Sequence, residues 1–179
     1  ATIAIVALGM TLVIASGGID LSVDSTMAVA RALAPIIFLS DWAVGNPWLG
    51  LFASILLPLI VAGFCGLFNG VLISVFGVQP IIATLILFIS GRGIAQVLTN
   101  GNLQTFTNPS FTWLGTGRIL GLPVQGWIAL VLTLILGWVV RRTIYGRYLL
   151  SAGGNERAAI MAGVPVARVK IATYVIAAV

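Results

Sequence analysis

Four acidic and nine basic side chains, one cysteine and no histidine make up most of the reactive inventory of this 179-residue chain. Two of the acids, Asp20 and Asp24, stand one helical turn apart, with Arg31 two turns further on and Arg92 far along the chain. Carboxylates and guanidiniums so spaced can cap a helix, hold a counter-charge or pass a proton. Without histidine, imidazole relays, histidine metal ligation and His-based triads are out of reach, and no metal site is expected. Cys65 sits inside an apolar run and reads as a small packed side chain without a disulfide partner. Asn69 and Gln79 are uncharged hydrogen-bonding groups in apolar surroundings, able to meet a polar solute or to bond one helix to another. Gly115-Thr116-Gly117-Arg118 lacks both the spacing and the Lys-Ser/Thr ending of a phosphate loop.

A second constellation lies between Gly146 and Lys170. Gly153-Gly154 predicts a flexible break, Asn155 a helix N-cap, and Glu156 an anion where the helix dipole favours one. Gly163 followed by Pro165 stops the helix, which is expected over 156–162. Glu156, Ala159, Ile160 and Gly163 share one side at spacings of three and four, a small-residue surface that another protein could approach. The plainer reading is a connecting loop whose arginines only hold topology.

These groups must be positioned in lipid. Sixty per cent of the chain is apolar and only 7% is charged, against about 25% charged in soluble domains. So few polar groups cannot cover a soluble surface, which excludes a cytosolic enzyme or a nucleic-acid module despite a pI near 10.4. Residues 1–16 are uncharged and lack a basic leader or cleavage site, so they read as the remainder of a spanning helix that Gly17-Gly18 ends. Residues 42–91 carry no charge; as one helix they would run about 75 Å against a hydrocarbon core of ~30 Å. The break falls best at Gly77-Val78-Gln79-Pro80, giving spans over 49–76 and 81–98. A polar, turn-rich loop over 99–121 precedes a span over 123–140, and a weaker span over 22–39 contains Asp24, Arg31 and Pro35. The expected fold is an all-α polytopic transmembrane helical bundle of about five spans. Residues 171–179 would begin a sixth, which reads as a piece of a longer chain.

Six of the nine basic residues, Arg141, Arg142, Arg147, Arg157, Arg168 and Lys170, fall in the 141–170 loop, with only Glu156 opposing them. Such a loop belongs on the cytoplasmic side. Propagated backwards, 99–122 and 40–48 lie outside, while the breaks at 17–24 and 77–80 approach the inner side. Trp42, Trp48, Trp113 and Trp127 then suit interfacial positions.

Within the spans, a helix starting at Leu21 would have Asp20 as its N-cap and Asp24 one turn inside. The sharper alternative is a role along a solute path, because ionisable groups at membrane depth are expensive. Asp24 and Arg31 lie on one helix face about 10.5 Å apart, within reach of a water-bridged or bent pairing. Arg92 stands about 16 Å from the start of its span and could anchor outward or line a pathway. Gly63, Gly66 and Gly70 predict close helix packing.

Gly17-Gly18-Ile19-Asp20-Leu21-Ser22-Val23, Gln79-Pro80-Ile81-Ile82-Ala83-Thr84-Leu85, Gly91-Arg92-Gly93, and Gly146-Arg147-Tyr148 with Gly153-Gly154-Asn155-Glu156 and Ala158-Ala159 together resemble the permease subunits of bacterial ABC sugar importers of the ribose, xylose and galactofuranose group. The likeness runs from near residue 5 to the end of the chain. Gly66-Leu67-Phe68-Asn69-Gly70-Val71 with Gln79-Pro80 look most like the galactofuranose type.

The resemblance implies a multi-pass permease domain over 1–179 in the bacterial inner membrane, not itself an enzyme. Its partners would be an ABC ATPase subunit that binds ATP and magnesium, an extracytoplasmic sugar-binding protein and a second permease subunit, homo- or heterodimeric. It also implies that the short helix of the 141–170 loop docks into the ATPase, placing Gly153, Gly154, Asn155, Glu156, Ala158, Ala159 and Gly163 at the coupling contact. Asp20, Asn69, Gln79 and Arg92 are the candidates for the sugar pathway, and the 99–122 loop for the binding-protein contact. Asp24 and Arg31 depart from the family's usual residues. The reading from a different class is a proton-coupled secondary transporter using Asp20, Asp24 and Arg31.

Overall fold

A computed structural model describes residues 2–102, 109–119 and 121–179. The expected apolar segments all form helices: α1 (Thr2–Ala15), α2 (Val23–Phe38), α4 (Pro47–Ser74), α5 (Pro80–Leu98) and α7 (Val124–Arg142), with the short α3 (Asp41–Gly45) before α4. Proline opens both α4 and α5 at their first position, where its missing N–H would have had no partner and its fixed φ already suits a helix. The break between them falls at the expected place: α4 ends at Ser74, and Gly77 turns the chain with φ +69°.

Three helices, α4, α5 and α7, are long and apolar enough to cross a membrane, with mean hydropathies of 2.4, 1.9 and 1.8. The first two expected spans form within a residue of their expected bounds, and both fall short of a full crossing. α1 has 14 residues and α2 has 16, about 21 and 24 Å of helix against a ~30 Å core. They flank an unwound stretch rather than meeting at a tight turn.

The expected outer loop holds α6 (Pro109–Thr116) and a minimal antiparallel hairpin, β1 (Arg118–Ile119) with β2 (Leu122–Pro123). Its remaining part, 103–108 and residue 120, lies outside the described residues. After α7 come α8 (Ile144–Gly154), α9 (Glu156–Met161) and α10 (Val166–Ala178), the last being the expected start of a sixth apolar helix.

The long helix α4 organises the bundle. Gly50, Ser54, Pro58, Ala62, Gly66 and Gly70 recur every fourth residue and are all buried, a strip that winds along α4 and receives α3 at Gly50 and α10 at Gly66 and Gly70; α2 packs on α4 as well. On that strip a Cβ at Gly66 would overlap the Tyr174 carbonyl of α10, and one at Gly70 would lie 2.8 Å from Ile171 Cα. The glycine motif thus packs helix on helix, as expected. α5 lies on the other side of α2, and α1 packs against α10, α7 and α8.

The principal core cluster is Val13, Ile73, Ala83 and Tyr174, drawn from four helices. Outside it the spans are largely bare: Phe52, Phe64, Leu134 and Trp138 are all more than 60% exposed. A soluble fold could not carry such apolar flanks, whereas hydrocarbon covers them at no cost.

Candidate functional site

The unwound stretch between α1 and α2 is built from small residues. Ser16 folds its hydroxyl onto the Val13 carbonyl at 2.7 Å, and Gly17 takes φ +77°, a conformation glycine adopts without strain. Gly18 lies so close to the Tyr174 side chain that any Cβ would collide with it. Tyr174, itself fully buried, reaches across from α10 and donates to the Ile19 carbonyl at 3.2 Å. Irregular backbone at membrane depth persists only where protein or a polar cavity satisfies it. Here Ser16, Asp20 and Ser22 are all buried within the bundle.

Asp20 closes a tight polar knot. Its Oδ1 accepts from the Ser22 N–H at 2.8 Å and from Ser22 Oγ at 2.6 Å. Asn69 of α4 in turn donates from Nδ2 to Ser22 Oγ at 2.9 Å. The helix therefore starts later than expected, at Val23 with Ser22 in the N-cap position, because Asp20 engages the Ser22 amide and hydroxyl in an Asx-type turn ahead of it. Asn69 is fully buried, and among the described residues its Oδ1 alone is a buried side-chain oxygen or nitrogen without a hydrogen-bond partner.

Asp24 and Arg31 do not pair. Asp24 Oδ2 instead meets Arg92 of α5 at 3.0 Å, and the Arg92 guanidinium stacks over the Phe88 ring with 5.2 Å to its centroid. The cause is the close approach of α2 to α5: a Cβ at Gly91 would lie only 3.0 Å from Ser25 Cβ, which sets Asp24 beside Arg92 and leaves Arg31 two turns further along α2. Arg31 has no ion-pair partner among the described residues. Instead Arg31 and Arg92 line a cleft of about 500 Å³ between α2 and α5, together with Gln96, Thr99 and Asn102. Gln79 lies apart from both groups, exposed at the N-cap position of α5 with no capping bond from its side chain.

The loop helix α9 forms almost where expected. Asn155 Oδ1 accepts from the Ala158 N–H at 3.0 Å, which caps the N-terminus. At the other end Gly163 takes φ +81°, its N–H reaching the Ile160 carbonyl at 2.9 Å and the Val164 N–H the Ala159 carbonyl at 3.0 Å. That paired pattern is the Schellman closure.

One expectation for this segment is corrected. Gly153-Gly154 is the last turn of α8, not a flexible break. A Cβ at Gly153 would overlap the Ala15 carbonyl, so glycine is needed there for the contact between α8 and the end of α1. Of the small-residue side of α9, Ala159 is buried with Ala152 and Val166, while Glu156, Ile160 and Gly163 stay exposed, Glu156 paired with Lys170 at 2.8 Å. Ile160 and Met161 are the apolar residues left bare, Met161 at 89% exposure.

Sequence reasoning missed Ser22 as the bridge from Asp20 to Asn69, and Tyr174 and Lys170 as partners. Ser22 stood inside the quoted glycine motif, but nothing local marked Tyr174, whose bond to Ile19 spans 155 residues. Nearby, Tyr145 of α8 shares a 2.8 Å hydrogen bond with Thr173. Burial pushes its phenol above the ordinary value, and that bond works against the shift.

Comparison with known proteins places this arrangement. A family model described as branched-chain amino acid transport system / permease component matches residues 1–179. The galactofuranose transporter permease protein YtfT of Escherichia coli is 42% identical over 178 residues, 98% of this chain and 50% of that protein. The fructose import permease protein FruF of Bifidobacterium longum is 39% identical over 175 residues, 96% of the chain and 47% of its own length. The ribose import permease protein RbsC of Escherichia coli is 39% identical over 175 residues, 96% and 52%. The chain thus spans about half the length of the curated relatives it matches. No solved structure matches it.

Proposed function

We propose, from the premise that this chain belongs to the family of branched-chain amino acid transport system / permease components, that it forms part of the translocation pathway of an ATP-driven importer of monosaccharides. The observation that carries this is the 39–42% identity, over nearly the whole chain, to permeases named for galactofuranose, fructose and ribose. Identity at that level along the chain outweighs the amino-acid wording of the broader family description. The helical architecture suits it: three spans carry bare apolar flanks, and an unwound polar segment is held by α4 and α10.

In this reading the protein is a multi-pass subunit of the bacterial inner membrane and does not itself hydrolyse ATP. A separate ABC ATPase binds ATP and magnesium, an extracytoplasmic protein delivers the sugar, and a second permease subunit completes the pathway. Asp20, Asn69 and Arg92 border the pathway, and Gln79 marks the turn between α4 and α5. The secondary-transport reading loses its support, since Asp24 is held by Arg92 and Asp20 by Ser22 rather than joined to Arg31 in one relay.

The α8–α10 segment is the proposed coupling contact, on the cytoplasmic side. Supporting the reading, Ala159, Gly153, Gly163 and the Glu156–Lys170 pair hold α9 in place and leave Ile160 and Met161 bare, the residues proposed to meet the ATPase. ATP binding would favour one opening of the bundle through that contact. Met161→Asp in the assembled importer should leave ATP hydrolysis largely intact and lower transport per ATP severalfold, measured in proteoliposomes. Unchanged transport per ATP would remove α9 from the coupling route.

A further inference from the structure

We propose that the cleft between α2 and α5 selects for an acidic monosaccharide, a uronate or aldonate, by taking its carboxylate on Arg31. The proposal rests on the sugar-permease reading and adds the charge of the solute.

The argument starts from charge. Two guanidiniums line the cleft, and the neighbouring acid, Asp24, is already paired with Arg92. Asp20 is buried and bonded to Ser22. Arg31 is therefore the uncompensated cation of the α2–α5 face among the described residues, on a helix that packs against two membrane-crossing helices. Carrying a lone guanidinium there is costly unless an anion or water meets it. One net positive charge matches one carboxylate, and guanidinium presents the planar donor pair that a carboxylate accepts.

The rest of the lining suits a sugar. Ala28, Ala32 and Ala95 put no bulk into the cleft, while Gln96, Thr99 and Asn102 offer amides and a hydroxyl of the kind that bonds ring hydroxyls. The volume, about 500 Å³, is within the range of small-molecule sites. By the cytoplasmic placement of the basic loop the cleft opens toward the outer end of α5, the side from which solute arrives. A phosphate of an anionic lipid headgroup offers the same oxyanion chemistry, and the test separates the two sources.

The importer assembled from its complete permease, ATPase and binding protein is reconstituted in proteoliposomes with and without phosphatidylglycerol. ATP-dependent uptake of galacturonate and gluconate is compared with that of galactose and ribose. The wild type is expected to take up at least one acid. Arg31→Gln should lower that uptake about tenfold, the loss of one charge-assisted bond, well beyond any loss of neutral-sugar uptake, and do so in both lipid compositions. Arg31→Lys, which keeps the charge, should recover part of the acid uptake. Absence of acid uptake by the wild type, or equal losses for acid and neutral sugars, overturns the proposal. An effect seen only with phosphatidylglycerol overturns it too and assigns the cleft to lipid. ATP-driven uptake of neutral sugars alone leaves the permease reading standing while this one falls; no ATP-dependent uptake at all removes both.

Discussion

The two long faces of the bundle are built on different principles. Where α4 meets α10 the contact is made by missing side chains, with Gly66 and Gly70 bringing backbone against backbone. Where α2 meets α5 and the inner part of α4, the Gly91–Ser25 approach and the apolar cluster of Val29, Ala32 and Ala95 are supplemented by polar contacts: Asp24 with Arg92, and Asp20 through Ser22 to Asn69. A backbone contact at van der Waals distance has one arrangement and cannot slide without a clash. An ion pair and a hydroxyl chain can be remade with other partners, and the cleft lies on that side. The glycine seam is therefore the fixed half, and the α2–α5 face is the one that can rearrange, as the proposed importer would require.

The strongest test of that contrast is Gly66→Leu. The new side chain has no space beside the Tyr174 carbonyl, so a loss of about 3 kcal/mol or more is expected, the upper end of overpacking costs, read as unfolding in mixed micelles. Gly63→Ala is the control, since a Cβ there would meet only Val179 Cγ2 at an ordinary 3.5 Å; it should change stability little. Equal effects at the two positions would erase the seam as a special feature.

Ser22→Ala comes next. It strips the hydroxyl that links Asp20 to Asn69 and leaves the buried Asn69 amide without its recorded partner, which should cost about 1–3 kcal/mol in the same unfolding measurement. A neutral result would mean that water takes over the role. The smallest effect belongs to the ion pair. Both partners are more than half exposed, 58% and 61%, so a double-mutant cycle between Asp24→Ala and Arg92→Ala should return a coupling of only about 0.2–1 kcal/mol. The same cycle between Asp24 and Arg31 should return none. A larger coupling to Arg31 would reverse the pairing.

How far the sequence reached differs between regions for a physical reason. The break at Gly77 to Pro80 and both ends of α9 were legible because the atoms that decide them lie within a few residues: Asn155 caps the Ala158 amide, and Gly163 supplies the positive φ. Gly153-Gly154 looked like a hinge for the same local reason. It proved to be a contact, because glycine serves either freedom or close approach and only the neighbour, Ala15, distinguishes them. The helix start moved two residues, from Asp20 to Ser22, because Asp20 accepts from Ser22 in a local turn; what no local signal showed is that Ser22 also meets Asn69, 47 residues away.

The sequence by itself determined that the chain lives in lipid, where most of its apolar helices fall, and that α9 is capped at both ends, since composition and capping act over at most a turn or two. Tertiary structure alone decided that Asp24 answers to Arg92, that Arg31 is left facing a cleft, and that α9 hides its alanine and shows its methionine. Those outcomes depend on how closely one helix lies against another, and glycine contacts far apart in the chain set that approach.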